Sequence, residues 1–113
     1  MSDNLIENFV ASLDLSTLAG KIEYQSTSIV SQTLLTDVAG TVTLFAFDRG
    51  QGLSEHTAPY DAIVHVLEGE AEISIDGAPM TVSAGQQIVM PANHPHALQA
   101  DLKFKMLLVM VKI

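Results

Sequence analysis

The chain contains no cysteine and no tryptophan. Without cysteine there is no disulfide frame, no thiolate-bound zinc and no thiol nucleophile, and the redox compartment stays open. Positive charge is also scarce: five Lys and Arg stand against thirteen Asp and Glu, for a net charge of −8. That balance repels a phosphate backbone and no basic cluster offsets it, so nucleic acid is not an expected partner. Long apolar runs are missing too. The longest, Met106 to Val111, falls far short of the ~20 residues that cross a bilayer. The opening residues, MSDNLIENFVASL, lack the basic start and unbroken apolar stretch of a secretory signal. The expectation is a soluble, cytoplasmic protein with no membrane partner.

What is present suits one globular domain. The 113 residues are 48% hydrophobic and 16% charged, enough apolar surface for a single core. Leu5, Ile6, Phe9, Val10 and Leu13 recur at helical spacing, which predicts a short amphipathic helix over 4–13 with Asp3 as its cap. Gly20 closes this region, so residues 1–20 read as an N-terminal helical segment and 21–113 as one β-rich domain.

From Lys21 onward come short runs rich in β-branched and aromatic residues, among them TVTLFAF, DAIVHVLE, AEISID and QQIVM. Breaks such as DVAG, DRGQG, DGA and PANHP separate them. Many short strands at close spacing predict an all-β sandwich or barrel. Asp76-Gly77 supplies a hairpin turn. Alternation puts Ala62, Val64 and Val66 on one face and Asp61, Ile63, His65 and Leu67 on the other. At the C-terminus Leu102, Phe104 and Met106 alternate with Lys103 and Lys105 before the pattern turns continuously apolar. Its last part is expected to be covered on both faces, by a partner subunit or by the N-terminal segment.

The spacing of glycines and histidines resembles the cupin superfamily, small jelly-roll barrels also called double-stranded β-helices. The family's first motif reads G-x5-H-x-H-x3-E-x6-G, and Gly50, His56, Ala58, Ala62 and Gly69 fall on its positions. The second reads G-x5-P-x-G-x2-H-x3-N, and Gly85, Pro91, Asn93, His96 and Ala100 fall on it. The fifteen residues between Gly69 and Gly85 suit the hairpin expected between the motifs. The resemblance implies a cupin barrel with its ligand in the mouth. Small cupins often pair, so a homodimer is expected.

In metal-binding cupins the ligands are usually two histidines and a carboxylate from the first motif and a histidine from the second. This chain keeps His56 and His96 but has Ala58 and Ala62 in place of the second histidine and the glutamate. Alanine has no donor atom, and two imidazoles seldom hold a divalent ion alone. His94, two residues before His96, would share its face on an extended strand. A metal site of His56, His94 and His96 is one expectation, with a divalent transition metal as cofactor. Asp61 and Glu55 are out of register, and His65 shares the face of Asp61. The other expectation is that the two alanines empty the mouth for a small organic ligand, in a pocket of His56, Ala58, Tyr60, Ala62, Met90 and His96. The function classes are therefore a small-molecule-binding cupin, a metal-dependent oxygenase or isomerase, and a metal-free acid–base enzyme.

Overall fold

The computed structural model describes residues 15–112. The helix expected over 4–13, with its Asp3 cap, lies outside the described residues. The described chain begins with the short helix α1 (Leu15–Gly20) and continues as nine strands. These are β1 (Ile29–Asp37), β2 (Gly40–Phe47), β3 (Gly52–His56), β4 (Tyr60–Glu68), β5 (Glu70–Ile75), β6 (Ala78–Ser83), β7 (Gln87–Met90), β8 (His96–Gln99) and β9 (Phe104–Lys112). They form a five-stranded sheet in the order β1-β2-β9-β4-β7 and a four-stranded sheet in the order β3-β8-β5-β6. The two sheets are the walls of an all-β jelly roll.

The period-two pattern decides which side chains fill the space between the walls. On β4, Ala62, Val64 and Val66 are buried, as their alternation requires, while Asp61 and Ile63 face outward. Phe47 and Phe104 lie directly opposite each other on β2 and β9 and stack with ring centroids 4.6 Å apart. With Ile73 and Met106 they belong to one core in which each side chain is removed from water. Burying a side chain of this size contributes roughly 1.5–3 kcal/mol.

Two turns depend on left-handed backbone: one closes a hairpin within the four-stranded sheet, the other crosses between the sheets. Asp76 and Gly77 take φ of 53° and 78° between paired Ile75 and Ala78, the two-residue hairpin in which both central residues are left-handed. Gly69 joins β4 to β5 at φ 76°, and a Cβ there would lie 2.5 Å from the Lys103 carbonyl oxygen. Both the backbone conformation and the close approach exclude a side chain at this position. Pro91 follows the last residue of β7, where a missing N–H ends the ladder.

Leu18 and Ile22 pack on Leu44 and Ala46 with Leu107 alongside, so the segment before β1 covers part of the outer face of the five-stranded sheet. The Lys105 ammonium, on a nearly buried side chain, donates to the Ala19 carbonyl at 2.7 Å. The chain itself therefore covers β9 near this end. Toward the other end Val111 is exposed. Strand β3 has no counterpart among the strand-like runs of the sequence. It is a polar edge strand, paired among the described strands with β8 alone and exposed at four of five residues, so no apolar alternation marks it.

Candidate functional site

Strand pairing assembles the site from two directions. On one wall β3 and β8 place His56 opposite His96. On the other, β4 lies between β7 and β9, and Met90, Ala62 and Met110 form one cross-strand row. A cavity of about 80 Å³ lies between them. His56, Ala58, Tyr60, Ala62, Met90 and His96 all line it. Apolar side chains close the rest, among them Phe45, Leu98 and Leu108, together with Met106 and Met110.

The imidazoles are oriented by backbone. His56 Nδ1 lies 2.7 Å from the Ser54 carbonyl oxygen, and His96 Nδ1 lies 3.2 Å from that of His94. A carbonyl oxygen only accepts, so the tautomer with its proton on Nδ1 suits each contact and leaves Nε2 with a lone pair. The two Nε2 atoms face each other at 3.1 Å, with the rings edge to face. Two lone pairs at that distance repel. A hydrogen bond from one Nε2 to the other, or a cation bound by both, satisfies that separation.

His94 is not part of this group. Strand β8 begins only at His96, and residues 91–95 form a turn in which Asn93 has φ 66°. The extended backbone that would align His94 with His96 is absent there. The His94 ring instead meets Asp76 of the β5–β6 turn, Nδ1 to Oδ2 at 2.8 Å, with both side chains about half exposed. Of the three histidines expected at a metal site, the structure brings His56 and His96 together and turns the His94 ring to Asp76. Asp61 accepts from the Ala92 backbone N–H at 2.9 Å and tethers the same turn from outside. Glu55 is exposed, and His65 faces outward with Nε2 buried and without a hydrogen-bond partner among the described residues.

No carboxylate among the described residues lines the cavity. Among the described residues no three His, Cys, Asp or Glu side chains are grouped as a metal site. A divalent ion would meet two imidazoles, one of them on the exposed His56, with no carboxylate among the described residues to balance its charge. The residues present do not fit the donor set that the cupin resemblance implies. Sequence reasoning did not place Met106 and Met110 in the site. The signal was the alternation of Phe104, Met106, Leu108 and Met110 along β9, which sends all four to the interior face.

A second titratable cluster lies outside the cavity. The Tyr24 hydroxyl donates to Glu68 Oε2 at 2.5 Å, and the ammonium groups of Lys103 and Lys105 stand 4.6 and 5.0 Å from its ring centre. Partial burial, with the hydrogen bond to Glu68 and its charge, pushes the Tyr24 phenol well above the usual tyrosine range.

The cupin-domain family model matches residues 43–112, a stretch that contains every residue of the cavity. The chain belongs to the cupin family. A crystal structure of a conserved protein of unknown function from Streptococcus pyogenes is 42% identical to this cupin, with a TM-score of 0.81, and the match covers 89% of this chain and 86% of that one. A cupin 2 conserved barrel domain protein from Leptotrichia buccalis is 43% identical with a TM-score of 0.81, over 83% of this chain and 46% of its own. A cupin superfamily protein from Desulfitobacterium hafniense is 28% identical, with a TM-score of 0.82 and coverage of 85% and 88%. Among curated proteins, the polyketide synthase CurC of Streptomyces cyaneus is 34% identical over 71 residues, 58% of this chain and 46% of that protein. This cupin therefore spans about half the length of that relative.

Proposed function

We propose that this cupin binds a small, largely apolar organic molecule in the cavity, its one polar end turned to His56 and His96. The observation that carries the reading is a largely apolar cavity of about 80 Å³, lined by both imidazoles and, among the described residues, by no carboxylate. A water needs roughly 10–15 Å³ measured this way, so the space suits a molecule of a few heavy atoms. Ala58 and Ala62 provide that space by standing where the family's metal ligands would. The Tyr60 phenol is a further polar group on the lining.

The test is a screen of small alcohols, amides and carboxylic acids against chelator-treated protein, followed by imidazole nitrogen NMR. Binders are expected to move the Nε2 signals of His56 and His96 and to lose affinity in Ala62→Leu. A screen with no binder at millimolar concentration, or binding indifferent to Ala62→Leu, would sink the reading.

A homodimer in the cytoplasm completes the proposal. Val42, Val109, Ile63 and Val89 form one aliphatic row across β2, β9, β4 and β7 on the outer face. Ile63 is 37% and Val89 57% exposed. A row of this kind on a sheet face suits a second copy of the same chain.

A further inference from the structure

We infer that the cavity is also a site for a soft monovalent metal ion, Cu(I), held by Nε2 of His56 and His96 and by the thioether sulfurs of Met90 and Met110. This inference does not rest on the organic-ligand reading. It follows from the donors that the fold collects in one place. Three of the chain's five methionines and two of its four histidines line a single cavity of about 80 Å³. They come from four strands, β3, β7, β8 and β9, so local sequence repetition does not account for the convergence.

The chemistry of the donors selects the ion. Thioether and imidazole are neutral, and thioether is soft, a combination that favours Cu(I) over hard divalent ions. Among the described residues no carboxylate lines the cavity to balance a second positive charge. The cost of placing an ion in apolar surroundings rises with the square of its charge, so a single charge is tolerated where a double one is not. Cu(I) is also a filled-shell ion that accepts two to four ligands without a demanding geometry.

The imidazole pair is arranged for a shared cation. Both Nδ1 atoms are tied to backbone carbonyls, the outer-shell contact that fixes the tautomer of a metal-bound histidine. The Nε2 lone pairs converge at 3.1 Å. Two nitrogens at that separation both reach one ion at a bond length of about 2.0 Å. On the facing wall Met90 and Met110 flank Ala62 in register. Ala62 adds only a methyl group to the cavity that both methionines line. The substitution that removes the family's carboxylate therefore also opens a gap bordered by two soft donors.

The full chain would be titrated with Cu(I) under anaerobic, reducing conditions against the chromophoric chelator bicinchoninate, and separately with Zn(II). One Cu(I) per chain is expected to be withheld from the chelator, with X-ray absorption reporting both nitrogen and sulfur neighbours. Met90→Leu/Met110→Leu conserves core volume and is expected to weaken Cu(I) binding by about tenfold or more. Carbon-13 labelling of the methionine methyls gives a readout on unaltered protein: the Met90 and Met110 signals shift with Cu(I), while that of Met80 does not. Failure to compete with the chelator would overturn the inference. So would nitrogen neighbours alone, unmoved methionine methyls, or Zn(II) bound as tightly as Cu(I). The organic-ligand screen uses metal-free protein and the copper titration uses no organic ligand, so either reading can fail alone.

Discussion

Replacing Ala62 by leucine drives a branched side chain into the cavity between Met90 and Met110. Empty core volume destabilises a fold by about 24 cal/mol per Å³, so a cavity of about 80 Å³ corresponds to roughly 2 kcal/mol. Ordering the leucine side chain costs about 0.5–1 kcal/mol. The expected net gain is about 1 kcal/mol, which for a domain of this size raises Tm by roughly 4 °C. Far-UV circular dichroism during thermal and urea unfolding is the assay, since the chain has no tryptophan to report by fluorescence. The same variant should show no added stabilisation from any ligand that protects the wild type. Overpacking a filled core costs about 1–3 kcal/mol. A loss of that size in Ala62→Leu would refute the claim that usable space lies beside Ala62, and retained ligand protection would refute the placement of the ligand.

His94→Ala should leave ligand and copper binding unchanged and alter stability by less than about 0.5 kcal/mol, because its pairing with Asp76 is half exposed; lost binding in calorimetry would return His94 to the site. The Tyr24 phenol is held above its ordinary value of about 10. Its folded-state affinity for the proton exceeds the unfolded one, so the stabilisation is complete below about pH 10 and disappears as pH rises toward the folded value. Phenolate absorbance in Tyr60→Phe should place the Tyr24 midpoint above 10, and Glu68→Gln should bring it down; an unshifted midpoint would contradict the partial burial and the Glu68 contact. Sedimentation should give the mass of two chains for the wild type and of one for Ile63→Glu, and a monomeric wild type would remove the outer aliphatic row as an interface.

Much of the architecture was legible in the chain. The inward set Ala62, Val64 and Val66 on β4 followed from alternation, and the Asp76-Gly77 turn from the left-handed conformations both residues tolerate. Strand β3 was not legible, because an exposed edge strand of polar residues carries no periodic apolar signal. The cavity lining was legible only in part. The motif spacing named His56, Ala58, Ala62 and His96, and Met90 and Tyr60 were read from their neighbouring positions. Met106 and Met110 were not named, although they occupy the interior phase of β9.

What the sequence by itself determined is the all-β class, the cupin spacing and the absence of donor atoms at positions 58 and 62. Those properties are local: a side-chain period of two, a turn that needs positive φ, a residue that has or lacks a ligating atom. Only the tertiary structure decided which donors meet. His94 stays apart from the pair because Asn93 turns the backbone left-handed and because Asp76, brought close by the hairpin between the two motifs, offers its ring a partner. Met90 and Met110 came together across Ala62 because β4 pairs with β7 on one side and β9 on the other. Such proximity depends on the order of strands in the sheet, and no period along the chain encodes it.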